Sequence, residues 1–346
     1  MTRQKIVILI WVLAVIVFLL MVNLALGSVN IPLSHVVDII CGGSGEGVTP
    51  VEHNIVLRSR LPQALTAIAA GAALSVSGLL MQTVFRNPLA GPSVLGISSG
   101  ASLGVAFVLL LSGSVGGTAL SSLGIVGEVA TTVAAVAGSL AVMGLIAFVA
   151  RKVHGNVTLL IIGVMIGYVA NAVIGVLKFF SAEEDIRAYV IWGLGSFARV
   201  SAGQTTTFVL LVACLLPFSF LLVKMLNLML LGDNYARNLG LNVKRSRVIV
   251  ICVSGVLVAV VTAYCGPIVF LGLAVPHLCR GLFRTSDHAV LLPATTLVGA
   301  ALALLCNLIA RLPGFEGALP VNSVTALVGA PVVVYVLFSK KRGVTE

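Results

Sequence analysis

Ala90-Gly91-Pro92-Ser93-Val94-Leu95-Gly96-Ile97 and Cys265-Gly266-Pro267-Ile268-Val269-Phe270-Leu271-Gly272-Leu273 interrupt long apolar runs in the two halves of a 346-residue chain. The two Gly-Pro breaks read as one motif used twice. Taking about 20 residues per membrane crossing, helices are expected near 5–27, 61–85, 94–111, 127–150, 157–179, 204–225, 247–264, 268–282, 289–310 and 320–339. Five crossings separate the breaks, and an odd number of reversals puts them on opposite sides of the bilayer. That is the pattern of an inverted repeat, a common build among transporters. The eighth crossing is short and starts at a break, so a half-inserted or tilted element is expected there.

Working outward, composition agrees with an all-α polytopic membrane protein: 59% hydrophobic residues, 9% charged residues and a mean hydropathy of +1.15, against about 25% charge in soluble domains. No polar stretch is long enough to form a separate soluble core, so residues 1–346 read as one transmembrane domain and any energy-converting domain must be another chain. Arg3 and Lys5 precede a first apolar run longer than a signal-peptide core, which reads as a retained span.

The net charge of +10 is dispersed between apolar segments and reports topology, not nucleic acid. With the N-terminus cytoplasmic, one side collects most of the cations, among them Arg86, Arg151, Lys152, Lys224, Arg237 and Lys244. The other holds Arg58, Arg60, Lys178, Arg187, Arg199 and Arg311, with acidic residues such as Asp38, Glu46, Glu128, Glu183 and Glu316. This satisfies the positive-inside rule with both termini cytoplasmic. Outside, 31–40 reads as a helix followed by a Gly-rich turn, and 185–197 as a short helix suited to the interface or to a partner.

Inside, 227–240 is the most structured loop. Gly232 stops one helix, Asp233 can cap the next and pair with Arg237 at i, i+4, Tyr235 and Leu239 form an apolar stripe, and Gly240 supplies a stop. Such a helix either receives a partner or lies against its own protein. In the fifth span Gly163, Gly167, Asn171 and Gly175 recur every four residues, an almost side-chain-free face for close packing or for a pathway. The middles of the spans lack ionisable residues, which argues against ion coupling.

The six cysteines form no CxxC pair and read as small buried hydrophobes, and His277 reads as a helix-end hydrogen-bonding residue, so neither metal nor other cofactor is expected. Gly96-Ile97-Ser98-Ser99-Gly100 fits the G-x-S-x-G pattern of serine hydrolases but lacks the preceding strand. A Walker A sequence is missing, so ATP must be hydrolysed elsewhere. A proton-coupled carrier and an intramembrane serine hydrolase are the competing readings.

Arg60-Leu61-Pro62, Ala70-Gly71-Ala72-Ala73-Leu74, Ser77-Gly78, Met81-Gln82, Phe85-Arg86-Asn87-Pro88-Leu89-Ala90 and Leu95-Gly96-Ile97-Ser98-Ser99-Gly100-Ala101 together resemble the FecCD family. In the second half Leu231-Gly232, Ala236-Arg237, Leu239-Gly240, Gly266-Pro267-Ile268, Pro276-His277, Asp287-His288 and Gly329-Ala330-Pro331 continue the likeness. These are permeases of type II ABC importers for iron-siderophore complexes, haem and vitamin B12. The resemblance implies a bacterial plasma (inner) membrane subunit of ten helices that pairs with a second copy or a paralogue, two cytoplasmic ABC ATPase chains and an external substrate-binding protein. It also implies that Leu231, Gly232, Asp233, Tyr235, Ala236, Arg237, Leu239 and Gly240 form the ATPase-coupling region, and that the fifth span flanks the translocation path with a cytoplasmic gate at Asn156 and Val157. Arg60 and Arg311 correspond to arginines that engage the binding protein. Gln63 stands where relatives often have arginine, and Arg58 can compensate. An iron chelate is the favoured cargo by its frequency in the family, with vitamin B12 the alternative.

Overall fold

The computed structural model describes residues 3–27, 29–42, 47–116, 125–153, 155–312 and 319–342; Glu46, Glu316 and most of the turn after residue 41 lie outside the described residues. Every regular element among the described residues is helical. In order they are α1 (Arg3–Ala25), α2 (Leu33–Ile40), α3 (Pro50–Ile55), α4 (Leu61–Phe85), α5 (Ile97–Gly116), α6 (Ile125–Lys152), α7 (Asn156–Phe179) and α8 (Glu183–Gly193). Then follow α9 (Ala202–Leu221), α10 (Val223–Leu230), α11 (Asp233–Asn238), α12 (Val243–Cys265), α13 (Leu271–Phe283), α14 (His288–Ala310) and α15 (Val321–Arg342).

Among the described residues seven helical segments are long and apolar enough to cross a membrane, and three shorter apolar helices join them: Ile97–Leu111, Leu271–Phe283 and Val321–Val334. Helices dominate because a backbone in hydrocarbon must satisfy its own N–H and C=O groups. The structure adds pieces that periodicity did not separate. α3 begins with a Thr49–Glu52 capping box and winds through a π-helical turn at Val56–Arg60 into α4 without a break. The sixth predicted span splits at Leu222 into α9 and α10.

α4 is the hub. It is almost wholly buried and packs against α14, α12, α13 and α9, whereas α1 turns Ile10, Trp11, Leu13 and Phe18 outward. Small residues permit this crowding, since without a hydrophobic drive between helices in lipid, association depends on close backbone approach. A Cβ placed on Gly78 would fall inside the carbonyl of Gly272, and one on Gly100 would strike the backbone of Gly138. Gly100 therefore belongs to helix packing of α5 on α6, which accounts for a glycine of the G-x-S-x-G sequence.

The two Gly-Pro breaks share a local device. In each, a glycine with positive φ, Gly96 at +74° and Gly266 at +77°, turns the chain where L side chains are strained. Between the halves, the buried Ser77 and Ser254 hydroxyls share a hydrogen bond of 2.6 Å, and each oxygen lies near the other's backbone carbonyl, at 3.2 and 3.1 Å. Of the glycines after these serines, Gly78 meets the Gly272 backbone beyond the second break, and Gly255 lies against Met143 of α6 and the Ile97 side chain beyond the first.

Candidate functional site

The exposed α10–α11 segment is built around backbone stops. Gly232 leaves α10 with φ +111°, and Gly240 ends α11 at φ +86°. There Gly240 N–H bonds to Arg237 O and Leu241 N–H to Ala236 O, both at 2.9 Å, a Schellman ending that satisfies two helix-end carbonyls. Ala236 is fully buried beneath the helix, while Leu231, Tyr235 and Leu239 are 58%, 69% and 58% exposed. A six-residue helix is too short to persist alone, so something must hold α11 in place.

That holder differs from the expected Asp233–Arg237 pair. Asp233 Oδ1 accepts from Arg86 Nη2 at 2.6 Å and Oδ2 from Arg247 Nη2 at 3.0 Å, while Arg86 Nε also reaches Met229 O at 3.2 Å. Nor does Asp233 cap the helix: Gly232 takes the cap position and no side chain bonds there. The physical reason is competition. An exposed i, i+4 pair is worth about 0.3–0.5 kcal/mol, whereas two guanidinium groups, Arg247 among them with a side chain 3% exposed, compete for one carboxylate with charge-assisted hydrogen bonds. Asp233 thus ties α11 to the end of α4 and the start of α12.

A second knot lies beside it. Asn227 on α10 donates its amide to Asp287 Oδ1 at 2.7 Å, so its oxygen faces the buried His288, accepting from the backbone N–H at 2.9 Å and from Nδ1 at 2.8 Å. His288 Nε2 lies 2.8 Å from the Thr83 hydroxyl, whose oxygen is also 2.8 Å from Leu79 O. Asp287 also caps α14 through Ala289 N–H at 2.9 Å. That backbone bond, then the Asn227 amide, hold the Asp287 carboxyl below its usual range. Because the folded value is depressed, the stabilisation is full at neutral pH and is lost as pH falls through that lowered value. Asp287→Ala is expected to cost about 1 kcal/mol from the lost cap alone, seen as a lower Tm in detergent at pH 7 and a smaller difference in acid.

His277 Nε2 lies 2.7 Å from Pro88 O, tying α13 to the loop before the first break. Among the described residues no group of three or more His, Cys, Asp or Glu could hold a metal ion.

On α7 the four predicted residues do not share a face. Gly163 and Gly167 are buried, whereas Asn171 and Gly175 are exposed. At 3.6 residues per turn a four-residue repeat advances by about 40° each step, so the row winds around the helix. Gly163 and Gly167 pack against the Gly96 turn, where a Cβ would come within 3.0 Å of Gly163 O. Val157 is 70% exposed; the Asn156 side chain lies outside the described residues.

The outward arginines also separate. Arg58 is exposed. Arg60 is buried and gives its guanidinium to backbone carbonyls at the end of α1, Leu24 at 2.7 Å and Ala25 at 2.8 Å, and to Val29. A cation at a helix C-terminus is favourable, and in this geometry the Arg60 guanidinium is engaged in that capping. Arg311 is half-buried beside it, its pKa brought down to about 10 by burial and by Arg60.

Sequence reading did not detect a buried amide ladder joining three helices. Gln63 donates to Asn307 at 2.9 Å, Asn307 to Asn23 at 2.9 Å, and Asn23 to Leu19 O and Leu304 O at 2.8 and 3.1 Å. Amides in apolar helices were the available signal, but nothing in their spacing pairs residues so far apart.

Comparison with known proteins places this architecture. The chain is 35% identical over 329 residues to the hemin transport system permease protein HmuU of Yersinia pestis, covering 94% of each. It is 35% identical over 309 residues to the vitamin B12 import system permease protein BtuC of Escherichia coli, covering 88% of this chain and 91% of that one. A solved chain assigned to a metal-chelate type ABC transporter, in an inward-facing conformation, superimposes with a TM-score of 0.81 at 28% identity, over 96% of this chain and 99% of that one. The FecCD transport family matches residues 14–339, and with nearly the whole chain so matched, the protein belongs to that family.

Proposed function

We propose that this chain is the membrane-spanning permease subunit of an ATP-driven importer that passes an iron chelate, a siderophore complex or haem, from an external binding protein to the bacterial cytoplasm. The observation that carries the reading is α11: a short helix flanked by the exposed Leu231 and Leu239 and presenting the exposed Tyr235, clamped to the central α4 through Arg86, in a chain with no Walker A sequence. α11 is the element that a cytoplasmic ATPase would push, and α4 the element that would carry the motion inward. Two ATPase chains, a second permease copy and an external docking protein complete the assembly, with Arg58 as the exposed docking cation. Ten crossings and an inverted repeat, with both termini cytoplasmic, are the topology we assign; the reciprocal Ser77–Ser254 contact supports it, being what two halves related by a near-twofold axis would make. Asn171 and Gly175, on the exposed face of α7, are the path residues we retain, with the gate at the start of α7 beside Val157.

Corrinoid transport is the second reading, favoured by the likeness to a vitamin B12 permease at equal identity. Uptake by proteoliposomes holding the full complex decides both matters. Labelled haem, ferric siderophore and cobalamin are supplied on their binding proteins, with and without ATP inside. Uptake of an iron chelate that needs ATP and the ATPase is expected. Accumulation by the chain alone under a pH gradient would overturn the proposal.

A further inference from the structure

The capture of Asp233 by Arg86 and Arg247 has a second consequence. Arg237, one turn along the same helix, is left without a carboxylate. It is exposed, as are Lys244 and Arg245 at the start of α12, and among the described residues no acidic group lies within ion-pair distance of any of the three. Arg237 and Lys244 line one open groove of about 500 Å³ with Gly240, Leu241, Asn242 and Val243. The exposed Leu231 stands just before α11, Tyr235 on it and Leu239 just after its end.

We infer that the ATPase receives α11 in an apolar pocket with a carboxylate rim, and that Arg237 and Lys244 are the cations that meet it. This deepens the coupling role proposed above and rests on it. Docking strips water from the groove, and a neutral or basic rim would leave two charges desolvated without compensation. An acidic rim turns the same burial into two ion pairs, and complementary charge also raises the encounter rate. A membrane surface could attract the cations as well, but it would gain nothing from a helix locked in orientation by two ion pairs and a Schellman ending. A protein pocket does, because the fixed geometry has already lost the freedom that binding would otherwise remove.

The test uses the full chain in phosphatidylcholine nanodiscs and the ATPase subunit that copurifies with it, with Kd measured at 50 and 500 mM NaCl. Since an exposed pair contributes at most about 1 kcal/mol, or roughly fivefold in affinity, Arg237→Glu with Lys244→Glu is expected to weaken binding by about tenfold or more and to flatten the salt dependence. An Asp or Glu→Lys change on the ATPase pocket rim should restore affinity to Arg237→Glu. Both sites are exposed, so an unchanged Tm verifies folding. Leu239→Asp is the discriminating control. If it abolishes binding while the double charge reversal binds as wild type with the same salt slope, the acidic rim is overturned and the coupling role stands. If Leu239→Asp itself leaves binding intact, the coupling role fails. Charge reversal that lowers attachment only when phosphatidylglycerol is added would assign the cations to lipid and overturn the inference.

Discussion

Asp233→Ala should uncouple ATP hydrolysis from transport more severely than alanine at any other charged residue of the 227–240 segment. The variant removes both anchors of α11 at once. Arg247, nearly inaccessible, would be left with its charge unpaired. Breaking a buried ion pair costs about 3–5 kcal/mol, but Asp233 is partly exposed and its bond to Arg86 is solvent-screened, so about 2 kcal/mol is the reasonable figure after the discount for exposed pairs. For a helix of only six residues that is enough to release it. Substrate-stimulated ATP hydrolysis in proteoliposomes is expected to fall by at least tenfold, with basal hydrolysis by the ATPase retained. Arg237→Ala should leave α11 seated, because its side chain does not hold the helix. If Asp233→Ala couples as wild type, or Arg237→Ala unseats α11 equally, the clamp has been misassigned.

Gly78→Leu should prevent assembly of the bundle. Even the first carbon of a side chain at this position overlaps the Gly272 carbonyl of α13, and backbone on both sides cannot move aside as a flexible side chain would. Overpacking in well-filled cores costs about 1–3 kcal/mol, and a displacement between two whole helices at the hub belongs above that range. Loss of monodisperse protein in detergent is the expected readout for leucine, and a Tm many degrees lower for Gly78→Ala. Gly175→Ala supplies the contrast: nothing lies within 4 Å of its Cβ position, and alanine improves an interior helical site by about 1 kcal/mol. The two alanine variants should therefore shift Tm in opposite directions. A Gly78→Ala protein as stable as wild type would mean that α4 and α13 do not approach as described.

Some positions were visible from spacing alone and others were not, and the difference lies in the range of the interaction. Gly232 and Gly240 bound α11 because positive φ and the hydrogen bonds of a helix end are decided within a few residues. The Gly-Pro breaks and the short α13 are of the same kind. The periodic row on α7 misled because four residues per step is close to, but not equal to, a helical turn, and the drift accumulates until Gly163 and Gly175 no longer share a side.

That the chain is helical, that it breaks at Gly96, Gly232, Gly240 and Gly266, and that cations gather near helix ends can be read from local residue order, because in hydrocarbon each backbone group must find its partner within its own helix and charge must stay near the ends. What the polar side chains do was set by packing. Asp233 turned from a neighbour four residues away to Arg86, 147 residues distant. Arg60 turned inward to carbonyls 35 and 36 residues before it, and Asn307 found Asn23 across 284 residues. Those choices depend on which helix ends arrive at the same depth and face, a property of packing that no local spacing encodes.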